Sequence, residues 1–136
     1  MPYCRESVQW WSQEAGRWPR LSAEEEWALS RRIERGDGEA LDRLVRCNYR
    51  LVIATAWPYA RQHRGILSFG DLVQEGNEGL LQAARKFDWR RGLRFSTYAL
   101  HWIEQRIRRA GAMDVPLAGM GVGAGESRKR LLRARE

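Results

Sequence analysis

The sequence predicts an all-α protein, a compact bundle of about four to five helices with a flexible C-terminal tail. Three observations lead there. Capping signals of the Ser-x-x-acid type open two long segments, at Ser22 with Glu25 and at Ser68 with Asp71. Apolar residues recur at three- and four-residue intervals through those segments, and no period-two alternation survives along the chain. Past Ala110 the helical period is lost, and the stretch 111–126 carries five glycines in sixteen residues.

The first helix is read in LSAEEEWALSRRIERGDG, opened by Ser22 and Glu25 and stopped by Gly36 and then Asp37-Gly38. A second long helix is expected from about Glu39 to Gln62. Leu41, Leu44, Val45, Asn48, Leu51 or Val52, and Thr55 line one side of it, and Pro58 should kink it about one turn earlier. HRGILS is a connector. The third helix runs from Ser68 to about Lys86, with Phe69, Leu72 or Val73, Gly76, Leu80, Ala84 and Phe87 inward and Asp71, Gln74, Glu75, Glu78 and Gln82 outward. Gly76 and Gly79 each cost about 1 kcal/mol of helix propensity relative to alanine, so they point to a close backbone approach.

DWRRGLR turns the chain into the fourth helix, RFSTYALHWIEQRIRR. Its core stripe is Phe95, Ala99, Trp102 or Ile103, and Ile107; its polar stripe is Arg94, Tyr98, His101, Gln105 and Arg108. The chain therefore divides into a helical domain over 1–110, a glycine-rich linker over 111–126 and a basic tail over 127–136, the last too short to be a stable helix alone.

Composition narrows the function. The 136 residues suit one domain with a core of its own. Cys4 and Cys47 have neither CxxC spacing nor nearby histidines, which argues against a zinc site or a disulfide framework and for a reducing cytosol. No apolar run reaches the length of a membrane span, and MPYCRESVQWW does not read as a signal peptide. The formal net charge of +7 points to a polyanionic partner. Its distribution says more: Arg85 to Arg109 holds eight basic and two acidic residues, whereas acids outnumber bases from Glu6 to Asp42.

Seven tryptophans read first as core filler, but aromatics among cations, as around Trp89, Tyr98 and Trp102, also suit base stacking. Catalysis finds no support. His63 lies in a connector, and His101 has only Glu104 at a useful helical offset. GMGVGAG has no lysine and follows no strand, so it is read as linker rather than phosphate loop. The protein is expected to be no enzyme and to need no metal or cofactor.

The run FGDLVQEGNEGLLQAARKFDWRRGLRFSTYALHWIEQRIRR closely resembles region 2 of the bacterial sigma-70 family of transcription initiation factors. Upstream, LSAEEEWALSRRIERGDGEALDRLVRCNYRLVIATA resembles the adjoining regions 1.2 and 2.1, so the likeness covers roughly residues 7 to 110. It implies a helical domain that binds the clamp helices of the largest catalytic subunit of core RNA polymerase and reads promoter DNA in the bacterial cytoplasm, at the nucleoid. Asp71, Gln74, Glu75, Asn77 and Leu81 occupy the polymerase-binding positions. Carboxylates and amides in helical register suit arginines of a partner helix, with Leu81 as an apolar anchor.

The resemblance also implies that the following segment holds the non-template single strand of the −10 element, with two bases flipped into pockets. Asp88, Arg91, Leu93, Thr97 and Tyr98 match the pocket of the flipped adenine, Tyr98 as stacking platform. Asn48, Arg50, Leu51, Arg94 and Ser96 match the surroundings of the flipped thymine. Lys86 and Arg90 match phosphate contacts. His101, Trp102 and Gln105 sit at the upstream edge of the melted region, and Arg108 is a further DNA-binding candidate. Departures from the family pattern are His101 in place of the first tryptophan of a Trp-Trp pair, Leu93 for an aromatic, Glu104 for an arginine and Arg108 for a threonine. Region 4, which reads the −35 element, has no counterpart in the residues of this sequence, and a separate chain is one source that could supply it. Two other functions fit the same features: a sigma mimic that occupies and inhibits or reprograms polymerase, and a stand-alone single-stranded DNA binding module.

Overall fold

Ser22 and Ser68 each open a helix by the reciprocal contact their sequences predict. The Ser22 hydroxyl accepts the Glu25 N–H at 3.1 Å while the Glu25 carboxylate accepts the Ser22 N–H at 3.0 Å. Ser68 and Asp71 repeat the pattern at 3.1 and 3.0 Å. A computed structural model describes residues 5–62 and 67–114. They form α1 (Arg5–Gly16), α2 (Ala23–Glu34), α3 (Gly38–Arg46), α4 (Tyr49–Gln62), α5 (Phe69–Lys86), a 3-10 turn (Trp89–Arg91) and α6 (Phe95–Asp114). The described residues contain no strand. The fold is all-α.

α5 and α6 form the most extensive helix pair, and α4 packs across both. Their shared core holds Val52, Phe69, Leu80, Phe95, Ile103 and Ile107, all essentially without solvent contact. Burial of each such side chain stabilises the fold by about 1.5–3 kcal/mol. Gly76 and Gly79 of α5 bring the helices together. A Cβ at Gly76 would lie 2.7 Å from Val52 Cγ1, and one at Gly79 would lie 2.6 Å from the Trp102 carbonyl oxygen. Both positions therefore exclude a side chain.

Three elements differ from the sequence expectation. The segment expected as one helix over about Glu39 to Gln62 is two helices, broken at Cys47-Asn48 rather than near Pro58. The Asn48 side-chain amide donates to the Leu44 carbonyl at 2.8 Å, and the Asn48 N–H reaches Val45 O at 3.0 Å, so local bonds close α3. Pro58 stays inside α4 because it and Ala54, whose carbonyl loses its donor, both face solvent. α1 was not foreseen; Val8, Trp11 and Ala15 supply its apolar side. α6 continues to Asp114, into the glycine-rich stretch expected to begin at residue 111. The rest of that stretch and the basic tail lie outside the described residues, as do residues 63–66 of the connector.

The tryptophans edge the core rather than fill it, with Trp11, Trp18, Trp57, Trp89 and Trp102 packed against its margin. None of the seven is buried: Trp10 is 55 % exposed, and the others are half-buried at the margin of a core built of Leu, Val, Ile, Ala and Phe. Three of the indoles also meet cations. Arg31 and Arg90 lie over Trp89 at 4.4 and 4.7 Å, Arg46 over Trp18 at 5.3 Å and Lys86 over Trp102 at 4.9 Å.

Candidate functional site

The polar face of α6 is set in place from its first residue. Glu26, 3 % exposed on the inner side of α2, accepts the Phe95 N–H at 3.1 Å and the Arg94 Nε–H at 3.0 Å. Arg94 also donates to the Leu21 carbonyl at 3.0 Å. The favourable charge of a carboxylate at a helix N-terminus adds to these bonds.

One turn on, Tyr98 is half-buried, with its ring centroid 5.8 Å from Phe87 and 6.3 Å from Trp102. The Lys86 ammonium lies over the Trp102 ring. Tyr98 and Trp102, backed by the buried Phe87, thus make a half-exposed aromatic shelf with a cation over its Trp102 end. His101, Gln105 and Thr97 are exposed beside it, Ser96 and Arg108 are half-buried, and Leu93 is 49 % exposed in the preceding loop.

The loop between α5 and α6 is held by charge. Asp88 accepts the Arg90 N–H at 3.1 Å, and that bond holds its carboxyl below the usual aspartate range. Arg90 grips Glu34 of α2 through both ends of its guanidinium, at 2.7 and 3.0 Å, which pushes the Arg90 pKa upward and lowers that of Glu34. Gly92, at φ +75°, turns the chain back toward α6. The Arg91 N–H donates to the Asp88 carbonyl at 3.2 Å, while its exposed side chain makes no hydrogen bond or ion pair among the described residues.

The structure therefore sorts the candidate DNA-facing residues into two groups. Lys86, Thr97, Tyr98, His101, Trp102 and Gln105 on the shelf side, and Arg91 and Leu93 in the loop before α6, have exposed or half-exposed side chains. Arg90, Arg94 and Asp88 are engaged in the bonds just described. Asn48 is spent on Leu44 O, and Arg50 donates to Trp18 O at 2.9 Å. Leu51 packs on the core, and no hydrogen bond joins Asn48 or Arg50 to α6 among the described residues.

On α5, Asp71 and Gln74 are exposed, although Asp71 also caps its helix. Glu75 accepts a bond from Arg106 of α6 at 3.2 Å. Asn77 is half-buried, with a buried Oδ1 that has no partner among the described residues, and Leu81 is half-buried against the core. Sequence reasoning missed Glu26, Glu34 and Arg106. Glu26 left a signal, since it shares a helical face with the buried Leu29 and Ser30 and with Ile33.

No helix of the described residues is long and apolar enough to cross a membrane, and no cluster of potential metal ligands occurs among them. The family model for sigma-70 region 2 matches residues 44–111, half the chain, and that for sigma-70 factor region 1.2 matches residues 6–39. The chain belongs to the sigma-70 family. The RNA polymerase sigma factors SigA of Listeria monocytogenes and Listeria innocua are each 46 % identical to it over 126 residues, 93 % of this chain and 33 % of theirs. SigA of a Bacillus species is 45 % identical over the same lengths. The chain spans about a third of the length of these sigma factors. In sigma-70 terms, α1 and α2 fall in region 1.2 and α4 to α6 in region 2, so Glu26–Arg94 and Glu34–Arg90 tie region 1.2 to the polar segment of region 2.

Proposed function

We propose that this protein is a sigma-type initiation factor that docks on core RNA polymerase through the polar face of α5 and holds the melted non-template strand of the −10 element on α6. The aromatic shelf of Tyr98 and Trp102, backed by Phe87 and bordered by Lys86, with Arg91 exposed in the preceding loop, carries this reading. Stacking on exposed ring faces holds unpaired bases without regard to their hydrogen-bond edges, and flanking cations attract the phosphates between them. Tyr98 is the platform for a flipped adenine, with Leu93 and Thr97 at the pocket wall. Lys86 and Arg91 are the readiest phosphate contacts, because Arg90 and Arg94 must first exchange a carboxylate for a phosphate. On α5, Asp71, Gln74 and Glu75 meet a basic helix of the polymerase clamp. No step of this function breaks or forms a covalent bond at the protein, so no catalytic group is required of it. Its place of action is the bacterial cytoplasm, with polymerase.

The test is run-off transcription from a promoter with a −10 element, using core polymerase with and without this chain. Start-site-specific transcripts that depend on the chain support the reading. Stable binding to core polymerase with suppressed transcription would make it a sigma mimic. Binding of single-stranded DNA with no affinity for core polymerase would make it a stand-alone DNA module.

A further inference from the structure

Among the described residues, Glu75 is the one carboxylate of the α5 polar stripe that is ion-paired, and its partner comes from α6. Arg106 Nη2 lies 3.2 Å from Glu75 Oε2, the two side chains being 30 % and 38 % exposed. The arrangement is built by packing. Gly79 follows Glu75 by one turn of α5, as Arg106 follows Trp102 by one turn of α6. Because Gly79 has no side chain, the backbone of α6 comes close at Trp102, and the Arg106 stem lies so near that a Cβ at Gly79 would be 3.0 Å from Arg106 Cγ. The stem is thereby laid along α5, and its guanidinium is delivered to Glu75.

We infer that Arg106 is an internal competitor for the cation that the α5 face receives from its partner, and so sets the affinity of that docking surface. The inference rests on the proposed docking of α5 on a basic polymerase helix. An incoming guanidinium has to share Glu75 with Arg106 or displace it, and it meets the positive charge of Arg106 as it approaches. A half-exposed pair of this kind is weak, which suits an exchangeable partner rather than a permanent lock; its removal is expected to change affinity by about two- to fivefold. The α5 face is thus partly occupied by the protein itself before any partner arrives.

The experiment titrates the full chain against core RNA polymerase. Arg106→Met keeps the stem and removes the charge; it should bind two- to fivefold tighter, with Arg106→Lys close to wild type. In a Glu75→Gln background the gain from Arg106→Met should shrink, because the contested carboxylate is gone. Gln74→Lys, which does not touch the pair, should weaken binding. If Gln74→Lys weakens binding but Arg106→Met leaves it unchanged or weaker, docking stands and the competitor role falls. An equal gain in both backgrounds also overturns it, leaving plain charge repulsion. If Gln74→Lys changes nothing, the docking face itself is wrong. Thermal melts of the free chains establish that the compared variants are folded, and Arg106→Gln takes the place of Arg106→Met should the latter melt below the assay temperature.

Discussion

The Glu26 carboxylate accepts the Phe95 N–H at 3.1 Å across a sequence separation of 69 residues. The first residue of α6 is thus capped by a side chain of α2. Glu26→Ala leaves that N–H without its acceptor and should cost about 1–3 kcal/mol of stability. Glu26→Gln retains an oxygen for Phe95 and should cost less. Arg94→Met should cost least, since the Arg94 side chain is 52 % exposed and Glu26 keeps its bond to Phe95. Thermal melts of the three variants check the order; a larger loss for Arg94→Met than for Glu26→Ala would place the anchor in the ion pair rather than the cap.

Gly79→Ala should destabilise the protein more than Gly76→Ala. The obstacle at Gly79 is the Trp102 backbone at 2.6 Å, which moves only with its helix, whereas Gly76 meets the side chains of Val52 and Ile107 at 2.7 and 3.2 Å. Overpacking of this kind typically costs about 1–3 kcal/mol. Gly16→Ala, with nothing within 4 Å, is the control and should gain about 0.5–1 kcal/mol of helix propensity. Urea denaturation of the three proteins measures the contrast, and equal losses at Gly76 and Gly79 would contradict it.

Tyr98→Ala should weaken binding of fork-junction promoter DNA by the polymerase complex by about 1–3 kcal/mol, the range for losing one base–aromatic stack. Tyr98→Phe should stay near wild type, because the ring and not the hydroxyl stacks. The Tyr98 ring also packs on Phe87 and Trp102, so the alanine variant should melt lower as a free chain. An abasic site at the adenine position separates the two effects. The DNA-binding loss should largely vanish there; an undiminished loss would show that Tyr98 does not hold that base.

Four surface carboxyls, Glu25, Glu34, Asp37 and Asp88, have folded-state pKa values below their ordinary ones. Depressed acids add stability that is present above their unfolded pKa and is lost as the pH falls through the folded one. The melting temperature should therefore hold from neutral pH downward and fall as the pH drops below the ordinary Glu and Asp values of 4.5 and 3.8. Carboxyl-carbon NMR titration should place the Glu34 midpoint below its ordinary value, and Arg90→Met should return it upward. An unmoved Glu34 midpoint in that variant would mean that Arg90 does not hold it in solution.

The helices most legible in the sequence are those whose ends carry their own partners. Ser22 with Glu25 and Ser68 with Asp71 needed only residues three positions apart, so α2 and α5 began where expected. The core stripe of α6 was equally plain: Phe95, Ala99, Ile103 and Ile107 are all buried. α1 was missed for want of a capping signal, and the break at Asn48 was obscured by Pro58, the stronger breaker on paper.

The sequence by itself determined the all-α class, the capped starts of α2 and α5 and the inward faces of α5 and α6, because helix periodicity and capping act over three or four residues. Its family motifs marked the polar faces of α5 and α6. Only the tertiary structure decided which polar residues are available there. Arg94 and Arg90, read as DNA contacts, are paired with Glu26 and Glu34 of α2, and Glu75 is paired with Arg106 of α6. Each partner lies 31 or more positions away in the chain. An exposed charge takes whichever opposite charge packing brings within a few ångströms, and that distance is a property of the bundle that no local pattern encodes.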